Sequence, residues 1–207
     1  MKADAKGNLR LGSNIVEILL PQRRPYLMVD FIHSFHAEPL PTVVAGRHIS
    51  ANEGVFDGHF PGLHVWPGSQ TIEGLGQTGI LLITLNAIRR AAEADGLDPD
   101  AGFAALRNLE QGFRLQPGYR PEEGRELMRR LRAANAPLAV GTSVEMKFLR
   151  PVFAGQRLDY RVSLTGEHNG GVRFQGEASV DGTPVAAGVL MGALVRPPGF
   201  HVSETEP

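Results

Sequence analysis

The chain has 207 residues, enough for one domain with a sizeable core, and at 42% hydrophobic and 21% charged it has an ordinary globular composition. A net charge of −1 leaves no overall electrostatic footprint for nucleic acid, and the absence of cysteine excludes disulfides, thiolate nucleophiles and cysteine-ligated zinc. The first twenty residues lack a signal-peptide core and the longest strongly apolar run, ILLITL, is too short to span a bilayer, so a cytoplasmic protein without a membrane partner is expected.

Residues 10–20 form an apolar-rich segment ending at Pro21, and PQRRP then turns the chain. YLMVDFIHSF (26–35) and TVVAGRHIS (42–50) read as strands, separated by the break at Pro39–Pro41. Pro67-Gly68 opens a helix in which Ile72, Leu75, Gly79, Leu82 and Leu85 share one face while Ile80, Ile83 and Ala87 fill the next. It is apolar nearly all round, the mark of a buried helix. Its Gly74, Gly76 and Gly79 each cost about 1 kcal/mol of helix propensity, which makes sense where strands pack closely against it. A helix wrapped by a sheet is the arrangement this implies.

The stretch RRAAEADGLDPDAG closes the helix, and a Gly/Pro-broken, arginine-rich zone follows to residue 142. Within it PEEGRELMRRLRAANAP, with acidic residues early and arginines late, suits a short helix. TSVEMKFLRPV and QRLDYRVSLTG alternate as strands, and GGVRFQGEASVDGTPVAAGVLMGALV reads as two strands about a turn at Asp181-Gly182. The final SETEP is expected to fray.

Glu73 is the one charged residue between Val65 and Asn86. Most helical glutamates face solvent, but the neighbours of this one at helical spacing are Ser69, Gln70, Gly76 and Gln77, inside a helix expected to be buried. A buried carboxylate is costly unless paired and tends to protonate, and a carboxyl so held serves as a general acid. Of seven histidines, His59 lies in the Gly/Pro-bounded turn DGHFPG just before the helix, with His64 as its rival. Their spacing is wrong for zinc, and there is no G-x-S-x-G elbow for a serine hydrolase. An imidazole and a carboxyl beside a helix N-terminus remain, with the N–H groups of Gly68 and Ser69 suited to a developing oxyanion.

Three segments, LPQRRPYLMVD, NEGVFDGHFPGLHVWPGSQTIEGLGQTG and VEMKFLRPVFAGQRLDY, resemble in order the signature segments of the FabZ-type 3-hydroxyacyl-[acyl-carrier-protein] dehydratases of fatty-acid and polyketide synthesis. The resemblance covers residues 15–88 and 143–195. It implies an α+β hot-dog fold, a single domain over 1–207 with a long central helix in a curved antiparallel sheet and an insertion at about 89–142. It implies His59 and Glu73 as the catalytic pair, the histidine removing the α-proton and the glutamate donating to the departing hydroxyl. Gly68 would supply the N–H to the thioester oxygen, the Val65 carbonyl would orient His59, and Gln77 would help to position Glu73. Glutamate rather than aspartate at 73 favours the FabZ-like over the FabA-like branch. The family usually has Asn-Pro at Leu63-His64, Met at Trp66 and His at Gln22, so Phe60, Leu63, His64 and Trp66 are the residues expected to shape substrate access.

Neither a metal nor a redox cofactor is required by that reaction, and the phosphopantetheine arm belongs to the substrate. The implied partner is an acyl carrier protein, docked on Arg120, Arg125, Arg129, Arg130 and Arg132 of the insertion with Lys147 and Arg150. At least a homodimer is expected, because one hot-dog unit leaves a sheet edge exposed. Glu73 should sit roughly 10 Å along the helix from its start, so each site is expected to join His59 of one chain to Glu73 of the other. A hot-dog acyl-CoA hydratase or thioesterase, or a specialised subunit of a dehydratase heterodimer, is the alternative.

Overall fold

The structure, a computed structural model, describes residues 7–116 and 138–195. The short helix read in PEEGRELMRRLRAANAP, the arginines between 120 and 132, and the C-terminal tail lie outside the described residues. Within them the chain forms β1 (Asn8–Leu11), α1 (Ser13–Leu19), β2 (Phe31–His36), β3 (Thr42–His48), α2 (Gly68–Ala94), α3 (Ala101–Leu115), β4 (Leu138–Phe148), β5 (Arg157–His168), β6 (Gly171–Val180) and β7 (Thr183–Val195). The strands make one antiparallel sheet in the order β1-β2-β3-β5-β6-β7-β4. Its ends, β1 and β4, do not meet to close a barrel. Asp181 and Gly182 both take positive φ (49° and 75°), the tight hairpin turn expected between β6 and β7.

The sheet curls around α2, which packs on β3, β4, β5 and β6. This is the hot-dog arrangement. Alternation drives it: Leu158, Tyr160, Val162 and Leu164 of β5 point inward, as do Val172, Phe174 and Ala178 of β6, all buried. On α2, Leu75, Leu81, Leu82 and Leu85 are wholly buried, each stabilising the fold by about 1.5–3 kcal/mol relative to exposure. The helix ends where Gly96, at φ 70°, lets the Gly96 N–H reach the Glu93 carbonyl (3.0 Å) and the Leu97 N–H reach the Ala92 carbonyl (2.9 Å).

Close packing accounts for one of the helix glycines clearly. A β-carbon at Gly74 would stand 2.3 Å from the ring and hydroxyl of Tyr160, a wholly buried side chain. Burial pushes the Tyr160 phenol well above its ordinary pKa, so a neutral ring rests on the helix backbone. A β-carbon at Gly79 would make ordinary contact with Phe174, and one at Gly76 would meet nothing within 4 Å, so close packing does not explain that glycine. Gly74→Ala is therefore expected to cost about 1–3 kcal/mol, as overpacking of a tight core does. The measurement is a melting curve, and an unchanged midpoint would show that Tyr160 swings aside freely.

Two segments differ from the sequence reading. Residues 26–30, read as part of a strand, lie outside the ladder because the Tyr26 carbonyl and the Met28 N–H are bonded to the Gln77 side chain instead. In the 89–142 zone α2 closes at Ala94, within RRAAEADGLDPDAG as expected, but the stretch that follows is not simply a broken one: it forms α3. Phe103, Leu106 and Leu109 of α3 are buried, Phe103 tilts against Phe35 at 5.2 Å, and α3 packs on α1, α2 and β1. The apolar spacing 103, 106, 109 and 113 was the signal for this helix, obscured by Gly102 and Gly112. Gly102 lies so near α2 that a β-carbon would come 2.4 Å from Ile88.

Candidate active site

The loop that carries His59 leaves β3, passes through a 3-10 turn at Gly54–Asp57 and returns along residues 64–66. Phe56 is buried beneath it, stacked on His64 at 5.0 Å and edge-on to Trp66 at 6.2 Å. The Trp66 N–H bonds the Val152 carbonyl (2.8 Å) and the Ala154 N–H bonds the His64 carbonyl (3.1 Å), which fastens 64–66 to the segment after β4. In that fixed strip the Val65 carbonyl faces His59, with Nδ1 at 2.8 Å. A carbonyl only accepts, so Nδ1 carries the hydrogen, and in the neutral ring the lone pair lies on Nε2, the form a base requires. Phe60 stacks on His59 at 4.2 Å, across a cis peptide.

Glu73 lies five residues into α2, a rise of roughly 7–8 Å from Gly68. It is half-buried in the single chain, not fully enclosed. Its Oε1 accepts from Gln77 Nε2 at 2.9 Å. The orientation of Gln77 is fixed by its surroundings: Met28 N–H donates to Gln77 Oε1 (2.8 Å), and Gln77 Nε2 also donates to the Tyr26 carbonyl (2.7 Å). An N–H on one side and a carbonyl on the other leave one amide orientation, with the NH₂ towards Glu73. Gln77 is buried, and its hold on Glu73 leaves the second carboxyl oxygen free to carry a proton.

Gly68 is the first residue of α2, following Pro67, so its N–H has no acceptor within the helix. A β-carbon there would stand 2.7 Å from the ring of Phe148, at the end of β4. Phe60 and Leu63 are half exposed beside His59, while Trp66 is buried against Phe56 with the Arg47 guanidinium 5.1 Å over its ring. Two pairs are thus built separately: His59 with Val65, and Glu73 with Gln77. No hydrogen bond joins His59 to Glu73 within the chain.

Sequence reasoning passed over Tyr26, Met28, Arg47, Glu53 and Phe148. Only Arg47 left a signal, as a lone permanent cation inside the apolar strand TVVAGRHIS. The arrangement offers a lone-pair imidazole, an oriented carboxyl and a free helix N–H, a set suited to moving one proton off a carbon and another onto an oxygen while a carbonyl takes up charge.

The chain is similar to known proteins. Residues 20–102 match the FabA-like domain family. The chain is 30% identical over 179 residues to the 3-hydroxyacyl-[acyl-carrier-protein] dehydratase FabZ of Anaeromyxobacter sp. (strain K), covering 86% of this chain and 87% of that one. It is 30% identical over 181 residues to the enzyme of the same name from Thermotoga neapolitana, covering 87% and 96%. Among solved structures, the dehydratase heterocomplex ApeI:P from Xenorhabdus doucetiae superposes with a TM-score of 0.51 at 16% identity, over 87% of this chain and 90% of that chain.

Proposed function

The chain belongs to the FabZ-type 3-hydroxyacyl-[acyl-carrier-protein] dehydratases, and from that premise we propose that it removes water from (3R)-3-hydroxyacyl thioesters of a carrier protein through His59 and Glu73. His59 Nε2 takes the proton from C2 of the acyl chain. The C2–H electrons form the C2–C3 double bond as the C3–O bond breaks, and the Glu73 proton leaves with the hydroxyl as water. Charge gathering on the thioester oxygen meets the Gly68 N–H. The histidinium and carboxylate left behind reset through solvent. The observation that carries the reading is the tautomer enforced by Val65, which leaves His59 Nε2 as a base. Following enoyl absorbance on matched (3R) and (3S) substrates, with carrier and coenzyme A as carriers, tests it: fast loss of the (3R) carrier substrate is expected. Release of free thiol in its place would make the protein a thioesterase, and a preference for coenzyme A would make it a hydratase.

The site is completed by a second copy of the chain. Val144 and Phe148 of β4 pair with Leu190 and Ala186, so they face the core side of the sheet, yet both stay about half exposed at 47% and 54%. Leu149, Phe60 and Leu63 add exposed apolar surface, which is what an edge waiting for a partner shows. A two-fold partner there would bring His59 of one chain to Glu73 of the other.

Docking of an acidic carrier is supported by Lys147 and Arg150, exposed on either side of Phe148 and Leu149. Reversing both charges is expected to slow carrier-bound substrate several-fold at low salt, less at high salt, and to spare a pantetheine thioester. Equal loss on both substrates would remove these two residues from the docking surface.

A further inference from the structure

Arg47 enters the core from β3 and is buried, yet it bonds two separate parts of the site. Its Nη1 donates to the Leu27 carbonyl and its Nη2 to Glu53 Oε1 at 2.7 Å, while its Cζ lies 5.1 Å from the centre of the Trp66 ring. The Leu27 carbonyl and the Met28 N–H belong to one peptide unit. That N–H is the group that holds Gln77 Oε1, and Gln77 in turn donates to Glu73. A cation on the carbonyl side of a peptide polarises it and strengthens the N–H as donor, so the bonds from Arg47 to Glu73 form one relay. On its other side Arg47 grips Glu53, at the start of the 3-10 turn that leads to His59, and Trp66, next to the Val65 that orients the imidazole.

We propose that Arg47 is a positioning residue for the elimination, orienting the acid through the 27–28 peptide and Gln77 and tying the loop of the base to the same cation. Two features make this more than a core ion pair. A lysine could not reach two acceptors in a fork while placing its charge over an indole. Residues 26–28 also give up their place in the sheet to serve Gln77, and Asp30, which follows, is fixed to β3 on both sides of Arg47 by Asp30 N–H to the Gly46 carbonyl and His48 N–H to Asp30 Oδ2 (both 2.8 Å).

The proposal rests on the dehydratase reading, and its test separates the two. Wild type, Arg47→Met, Gln77→Ala and the double variant are compared in kcat and KM. Arg47→Met is expected to lower kcat about tenfold or more with KM within about twofold. In the Gln77→Ala background, where the link is already cut, the same change should add less than about twofold. Arg47→Lys, which keeps the charge, should recover part of kcat and replaces Arg47→Met if that variant does not fold. Equal losses in both backgrounds, or none in either, would overturn the proposal. A second readout needs no turnover. With selective ¹⁵N-methionine labelling, the Met28 amide should be downfield and slow to exchange, and should move upfield and exchange faster in either Arg47 variant. An unmoved Met28 amide would overturn the proposal too. A wild type that releases no water would overturn the dehydratase reading alone, and the amide signal would still decide the role of Arg47.

Discussion

Replacing His59 with alanine is expected to lower turnover by about 10²–10⁴-fold, and replacing Glu73 with glutamine by a similar factor, because each would remove one partner of the proposed general acid–base pair. Both side chains sit outside the core, so melting temperatures should stay close to that of the wild type. The two losses differ in kind. Without His59 the Val65 carbonyl loses its ring partner and the C2 proton has no acceptor. Glutamine at 73 still accepts from Gln77 Nε2 through its own carbonyl, so the geometry survives and only the transferable proton is gone. The double variant should be little worse than either single one, since residues that act in one step are not additive. Retained turnover in either single variant, measured with carrier-bound substrate, would move the chemistry elsewhere.

Mixing those two inactive variants is expected to bring activity back. Each chain forms His59–Val65 and Glu73–Gln77 as separate pairs, and the apolar core-facing edge at Val144 and Phe148 is open. In a two-fold dimer, a His59→Ala chain beside a Glu73→Gln chain makes one site lacking both residues and one site with both. Random exchange makes half of the dimers mixed, with one good site of two, so about a quarter of wild-type activity should return. Subunit exchange would be followed by mass under native conditions. No recovery once exchange is complete would place both residues of a site in one chain.

The sequence made the architecture legible where one period dominated. The all-round apolar helix, the alternation of β5 and β6, and the Asp181-Gly182 turn each have one structural solution, and the fold follows them. Gly74 was readable as a close approach, although nothing in the sequence names Tyr160 as its neighbour. His59 and Glu73 stood out as a turn imidazole and a lone carboxylate, and the resemblance gave them roles. The resemblance also supplied the Val65 carbonyl and Gln77, but the rest of the clamp was hidden for a physical reason: it is made of backbone groups. The Tyr26 and Leu27 carbonyls and the Met28 N–H carry no side-chain signature, and YLMVDFIHSF looks like a continuous strand until Gln77 takes its first polar groups. Alpha helix α3 was missed because its two glycines weakened a pattern whose buried positions were otherwise regular.

Intact-mass measurement on the carrier protein itself tests the central claim most directly. A (3R)-3-hydroxyacyl carrier thioester is incubated with wild type, with His59→Ala and with Glu73→Gln, and the carrier is weighed. The wild type should give a species lighter by one water with the acyl group still attached, while the two variants should leave the starting mass over the same interval. A carrier stripped of its acyl group, or water loss that persists in both variants, would contradict the account.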